Sequence, residues 1–166
     1  MKIELRKWRF EDKDALIMMC NTIDRTYLSG RMPDPYTEEA AAWWLNMAEE
    51  SEGKNGVFRE ILVDGKIVGN ITVEQKDDVF CKDAEIGYYL LPEAKSKGIM
   101  TEAARQICEI AFETLDIIRI TGLVYESNTA SRRVLEKNGF ELEGIKRNAI
   151  YKNSRFYSDC IYGKLK

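Results

Sequence analysis

The 166-residue sequence predicts one α/β domain, a mixed and mostly antiparallel β-sheet with helices on both faces. Three observations carry that reading. Asp64-Gly65 stands between two β-rich runs, Val57–Val63 and Lys66–Val73, the pattern of a hairpin with a two-residue turn. From Gly98 the apolar spacing becomes helical: Ala103, Ala104, Ile107, Ile110, Ala111 and Leu115 recur every three or four residues along one stripe. Two late β runs, at about 140–151 and 155–164, flank Lys152-Asn153-Ser154 as a second hairpin.

The other elements follow in order. Residues 2–9 read as a first strand, and Asp12-Lys13-Asp14 opens a helix to about Asn21. Gly30–Tyr36 holds Gly30, Pro33 and Pro35 and cannot continue that helix. Thr37 caps the next helix, with Glu38 and Glu39 complementing its dipole; it carries Trp43, Trp44 and Met47 to about Ser51. Ala84–Leu91 is a third β run after the first hairpin, stopped by Pro92. Ile117–Val124 is a strand. Asn128–Asn138 is a short helix with Ala130, Val134 and Leu135 inward, closed by Gly139. The order β-α-α-β-β-β-α-β-α-β-β is not doubly wound, and Rossmann and Walker glycine patterns are absent. With no repeat or linker, the expectation is one domain over 1–166.

Composition narrows the function. At 45% hydrophobic and 32% charged residues, the chain can fill one core. A formal net charge of -3 lacks the basic excess of a general nucleic-acid binder and weakly favours cationic partners such as amines. The start of the chain has no signal-peptide run, and Ala15–Cys20 is too short to span a bilayer, so a cytoplasmic protein without membrane association is expected. Cys20, Cys81, Cys108 and Cys160 form no C-x-x-C pair; buried free thiols and no metal site are expected. There is no histidine, which excludes Ser-His-Asp and Cys-His hydrolysis. Proton transfer falls to a carboxylate, a tyrosine, water, or a perturbed lysine or cysteine.

The segment richest in chemistry is Ala84–Ala104. A strand ends at a proline, a loop crosses Lys95-Ser96-Lys97-Gly98, and a long helix begins at once. Such a junction aims unpaired N–H groups and the positive end of a helix dipole at one spot, which suits an anion such as pyrophosphate. Gly98 lets the backbone approach closely, and Lys95 and Lys97 add charge. The same residues also read as a solvated lysine-rich turn.

This loop resembles the acetyl-coenzyme A loop of the GNAT superfamily, Gln/Arg-x-x-Gly-x-Gly/Ala, with Lys95, Gly98 and Met100 at the key positions. Lysine replaces Gln/Arg and methionine replaces the last Gly/Ala; RimJ/RimL-type members accept a bulky aliphatic residue there. Glu85–Leu90 is similar to that branch's A-E-I-G-Y-W-L strand. Asn128–Gly144 matches its N-x-x-S-x-x-V-L-E-K-x-G-F-x-x-E-G segment almost position for position. Pro33, Pro35, Tyr36, Thr37, Glu39 and Trp44 resemble the start of its second helix, so the resemblance covers essentially the whole chain.

The resemblance implies a GNAT-type domain whose fourth strand, here 83–91, splays from the fifth, here 117–124. It implies acetyl-coenzyme A as cosubstrate. The pantetheine arm adds along Tyr88, Tyr89 and Leu90, and pyrophosphate rests on the backbone of Ser96, Lys97, Gly98, Ile99, Met100 and Thr101 beside Lys95. Asn128 and Ser131 face the pantetheine end and the thiol; read locally, Asn128 is an N-cap and Ser131 a surface residue. The histone-acetyltransferase branch makes Glu85 the base, although Glu85 also reads as a structural carboxylate. Glu74, Tyr157 and Asp159 are further candidates, and Ser131 is placed to serve the leaving thiolate. Trp43, Trp44 and Tyr36 read as lid or core packing.

Direct attack by a neutral amine, without an acyl-enzyme, is the implied reaction. An α-amino group titrates near about 7.7–8.0, so deprotonation at pH 7 costs on the order of 1 kcal/mol; a lysine at about 10.4 costs about 4–5 kcal/mol. A protein or peptide N-terminus is therefore the expected acceptor. A small-molecule amine (polyamine, amino acid or antibiotic), a non-catalytic coenzyme A module and a structural interaction domain are alternatives, and pairing of two copies is left open.

Overall fold

The computed structural model describes residues 1–166. The elements run β1 (Ile3–Lys7), α1 (Lys13–Cys20), α2 (Glu38–Ser51), β2 (Gly56–Val63), β3 (Lys66–Gln75), β4 (Asp83–Leu90), α3 (Ile99–Thr114), β5 (Arg119–Tyr125), α4 (Thr129–Lys137), β6 (Glu141–Lys152) and β7 (Arg155–Leu165). Both hairpins form where turn chemistry places them. Asp64 and Gly65 take φ of 49° and 83°, and Asn153 and Ser154 take 51° and 61°; these paired positive angles match the right-handed twist of the flanking strands. Thr37 and Asn128 both cap as their positions require, accepting from the N–H groups of Ala40 and Ser131.

The strands form one seven-stranded sheet in the order β1-β2-β3-β4-β5-β7-β6. All neighbours are antiparallel except β4 and β5, which run parallel. A parallel pair needs a crossover, and α3 supplies it. Its stripe of Ile99, Met100, Ala103, Ala104, Ile107, Cys108 and Ala111 is buried against the sheet. On the opposite face α1 and α2 bury Leu16, Met19, Ala41, Leu45 and Ala48 with Trp8 and Phe58. Central β2 is therefore covered on both sides, and Gly56–Leu62 is buried throughout.

Some sequence expectations about packing hold, and those for Trp43, Ala130 and Cys81 need correction. Trp44 and Tyr36 are packing residues: Trp44 stands edge-on to Trp8 at 5.8 Å and to Phe58 at 6.0 Å, and Tyr36 is buried. Trp43, one position round α2, is 69% exposed and belongs to no core. Ala130 is exposed because the first turn of α4 precedes its contact with the core; Leu135, a turn later, is buried, and Val134 packs partly against it. Cys20, Cys108 and Cys160 are buried free thiols, whereas Cys81 sits exposed on the turn between β3 and β4. No helix is long and apolar enough to cross a membrane.

Candidate active site

The site grows from the one parallel pair. β4 and β5 are in register from Asp83↔Arg119 to Ile86↔Gly122 and no further. Below, the pair is locked: the Thr121 hydroxyl donates to both oxygens of Asp83 at 2.8 and 2.9 Å, and the Lys76 ammonium donates to that carboxylate at 2.6 Å. The Arg119 guanidinium stands 3.5 Å from Asp83 and binds Glu143 at 2.5 and 2.8 Å. Above Ile86, β4 stays paired to β3 as far as Leu90 and β5 to β7 as far as Tyr125, so the two strands part. The β5-facing backbone of Tyr88, Tyr89 and Leu90 is left without a strand partner. Gly122 lies at the fork because α4 comes close there: a Cβ would stand 2.8 Å from Leu135 Cδ1.

Alternation along β4 gives the notch two walls. Ala84, Ile86, Tyr88 and Leu90 face α3 and α4, and the Tyr88 hydroxyl lies 2.7 Å from Ser131 Oγ on α4. Burial pushes the Tyr88 phenol up to about 12. Ser131 is thus half-buried and hydrogen-bonded, not a free surface hydroxyl, and Asn128 is the N-cap that the local reading allows. Tyr89 faces the other way, its hydroxyl 3.3 Å from Cys20 Sγ.

The head of α3 presents a run of free backbone donors. Ser96 and Gly98 take φ of 61° and 76°, a curl that turns successive N–H groups the same way. The N–H groups of Ser96, Lys97, Gly98, Ile99, Met100 and Thr101 donate to no acceptor in the chain. The side chains of Ile99 and Met100 are 2% and 7% exposed and point into the core, so this surface is made of backbone. Methionine in place of a small residue is accommodated because its side chain leaves the loop and fills the interior. Lys95 stands 3.6 Å from Asp24; Lys97 is exposed and has no ion pair.

On the α1–α2 side a cavity of about 330 Å³ opens over the sheet, lined by Arg31 from the α1–α2 loop, by Thr72, Glu74, Gln75 and Lys76, and by Glu85 and Gly87 of β4. Glu74 and Glu85 are directly opposed across β3 and β4, so both carboxylates share that face. Partial withdrawal from water pushes both above the usual carboxylate range; the like charge of Glu85 adds to the rise at Glu74, while Lys76 and Arg31 oppose the rise at Glu85. Asp159 on β7 is likewise raised by burial. Tyr157 is further round, 5.3 Å from Tyr125, which packs 5.3 Å from Tyr27. Glu85 and Glu74 therefore come together, with Asp159 and Tyr157 beyond the parting of the strands.

Sequence reasoning missed the groups that hold the α1–α2 loop. The Arg25 guanidinium donates to the carbonyls of Cys20, Met32 and Pro33, and Lys152, at the end of the β6–β7 hairpin, donates to those of Arg25, Thr26 and Leu28. Tyr27 donates to Ser127 O and Tyr125 to Leu28 O, so the loop is also fastened to the junction of β5 and α4. Arg31 was missed too. Its signal was only a cation in a Gly/Pro-rich loop, and nothing local said where it lands.

The sequence matches the model of the acetyltransferase (GNAT) domain over residues 2–141. It is 38% identical over 133 residues, 80% of this chain and 70% of the relative, to YdaF of Bacillus subtilis (strain 168), to which a ribosomal N-acetyltransferase role is assigned. It is 28% identical over 144 residues, 86% of this chain and 80% of the relative, to the L-amino acid N-acetyltransferase AaaT of Escherichia coli (strain K12). A solved structure of the ribosomal-protein α-N-acetyltransferase RimL in complex with coenzyme A superposes with a TM-score of 0.86 at 20% identity, covering 99% of this chain and 94% of that one; a likeness at that identity is one of fold.

Proposed function

The chain belongs to the GNAT family of acetyltransferases and is an acyltransferase, and from that premise we propose that it moves an acetyl group from acetyl-coenzyme A to a primary amine, above all the α-amino group of a protein or peptide N-terminus. A single domain over 1–166 does this work, in the cytoplasm, where acyl-coenzyme A is made and used. The observation that carries the reading is the run of unpaired N–H groups from Ser96 to Thr101, at the head of α3 and beside the parted strands. Oriented amides at a helix N-terminus attract phosphate oxygens, and an added Cβ at Gly98 would meet nothing within 4 Å, so the approach is open. No metal is invoked.

When bound, the thioester supplies an activated acyl carbon: the amine nitrogen bonds to it, the carbon–sulfur bond breaks, and the sulfur departs as a thiolate. Lys95, Ser96, Lys97, Gly98, Ile99, Met100 and Thr101 hold the diphosphate, Gly98, Ile99 and Met100 through backbone alone. The free edge of Tyr88, Tyr89 and Leu90 takes the pantetheine arm as an added strand, and one of its N–H groups steadies the oxyanion. Glu85 accepts the proton of the incoming amine. Its raised proton affinity suits that task better than an ordinary surface carboxylate, and Glu74 beside it shares the positive charge. Ser131, oriented by Tyr88 and by the cap at Asn128, donates to the leaving sulfur.

The ribosomal role in the name of YdaF favours a protein acceptor, and the name of AaaT favours a free amino acid, whose amine is an α-amine. Incubation with acetyl-coenzyme A and a panel of N-terminal peptides, amino acids and polyamines, followed by thiol release, tests the reading. Turnover on peptides supports it. Turnover confined to small amines replaces the acceptor, and calorimetry that detects no uptake of acetyl-coenzyme A by folded protein overturns it.

A further inference from the structure

Arg31 is the one guanidinium in the cavity over β3 and β4, and its surroundings are unusual for a surface arginine. It faces Glu74 and Glu85, and its field favours the ionised form of both. Yet it makes no ion pair within 4.0 Å with either carboxylate, and its side chain donates to no group of the protein. A flexible arginine beside two acids would ordinarily close on one of them in a bidentate pair. Here the backbone of the loop that carries it is fastened on three sides, through Arg25, through Lys152, and through Tyr27 and Tyr125, and the guanidinium at its tip stays unpaired over the two acids.

The gap has the donor Arg31 on its loop side and the acceptors Glu74 and Glu85 on its sheet side, where Lys76 is committed to Asp83. The cavity has no apolar lining residue, and its volume of about 330 Å³ lies at the small end of the range, about 300–1,000 Å³, usual for ligand clefts. A simple alkylamine entering it would satisfy the acids but lay hydrocarbon against polar groups and leave the arginine unmatched. An amine with a carbonyl or carboxylate one carbon away matches both sides at once.

Resting on the acceptor-amine reading above, we infer that Arg31 is a specificity-determining residue that donates to the carbonyl or carboxylate oxygen next to the reacting amine, so that the enzyme selects α-aminoacyl acceptors over plain amines. The chemistry recognised is an α-amine beside a C=O. It has two sources, the first residue of a peptide and a free amino acid. Glu74 and Glu85 hold the nitrogen and Arg31 holds the oxygen, which fixes the direction in which the amine lone pair points.

The test compares alaninamide, alanine and sec-butylamine as acceptors for the wild type, Arg31→Ala and Arg31→Lys, with acetyl-coenzyme A affinity measured in parallel by calorimetry. Loss of one charge-assisted hydrogen bond should cut kcat/KM of Arg31→Ala for alaninamide or alanine by about tenfold to a hundredfold, mainly through KM. Sec-butylamine turnover should fall far less, by no more than the loss of the Arg31 field at Glu85 brings, cofactor affinity should be unchanged, and Arg31→Lys should recover part of the loss. A larger effect on alanine than on alaninamide identifies the free amino acid as the source; the reverse identifies the peptide. Equal losses on the α-aminoacyl compounds and sec-butylamine, or no loss, overturn the inference while leaving acetyl transfer standing. If the wild type binds acetyl-coenzyme A and acetylates none of these amines, the acceptor reading fails and this inference fails with it.

Discussion

The hydroxyl of Tyr88 and Oγ of Ser131 lie 2.7 Å apart, joining β4 to α4 above the point where β4 and β5 separate. Tyr88 belongs to β4 and Ser131 to the helix that follows β5, so this contact ties together the two sides of the fork. With its phenol held up at about 12, Tyr88 keeps its proton at neutral pH and serves as a fixed partner for the serine. Ser131→Ala should lower kcat by about tenfold, the loss of one hydrogen bond to a developing charge, with little change in acetyl-coenzyme A affinity. Tyr88→Phe keeps the serine but releases its orientation and should cost about threefold. Steady-state kinetics with calorimetry checks both; an undiminished kcat for Ser131→Ala removes the serine from the leaving-group step.

Gly98 carries a left-handed backbone at the head of α3, with open space where a Cβ would project. An aspartate there adds a side chain and a negative charge at the mouth of the amide cradle. At about 4 Å from a phosphate oxygen, a like charge costs on the order of 4 kcal/mol at an effective surface dielectric, enough to weaken binding by about a thousandfold. Gly98→Asp should therefore show no measurable uptake of acetyl-coenzyme A while keeping a cooperative thermal transition. Unchanged affinity would remove the head of α3 as the diphosphate site.

How much of this was legible beforehand depended on sequence distance. Asp64-Gly65, Asn153-Ser154, Thr37 and Gly98 act on neighbours within a few residues, so residue type alone placed the turns, a cap and the start of α3. The stripe on α3 was equally plain. The lock of Asp83 with Thr121 joins residues 38 apart, and the hold of Lys152 on the α1–α2 loop joins residues up to 127 apart; no local pattern announces contacts of that range. Arg31 belongs with these. Trp43 and Ala130 show the other limit: periodicity gives the apolar face of a helix but not where the neighbouring layer stops.

Glu85 gives the site a pH signature. Its carboxyl is raised, chiefly by withdrawal from water, while the nearby charges of Lys76 and Arg31 oppose the rise. An α-amine at about 7.7–8.0 is mostly protonated at pH 7 and mostly free at pH 9. Wild-type kcat/KM should rise with pH as the amine loses its proton, because the enzyme needs the base ionised and the amine neutral. Glu85→Gln should lose about a hundredfold at pH 7, the usual scale for general-base catalysis, and under about tenfold at pH 9, where the amine needs less help. Equal losses at both pH values remove Glu85 as the base and leave it as a charge that positions the amine.

Lys152 holds the loop from the far end of the β6–β7 hairpin, its ammonium bonded to the carbonyl oxygens of Arg25, Thr26 and Leu28, the last two at 3.1 and 2.7 Å. Methionine has nearly the same length and no donor, so Lys152→Met leaves those carbonyls without their shared partner and removes little packing. A charged donor is worth about 1.5–3 kcal/mol per bond where the groups are kept from water. These carbonyls are partly exposed and can turn to solvent, which sets the net loss of stability at about 1 kcal/mol, roughly 2–4 °C in Tm for a chain of this size. The kinetic effect should be larger and confined to the acceptor. With the loop free, Arg31 can close on Glu74 or Glu85, and KM for the amine should rise about tenfold at unchanged acetyl-coenzyme A affinity. If both KM values move together, the hairpin supports the whole notch; if neither moves, the loop is held well enough by Arg25 and the tyrosines alone.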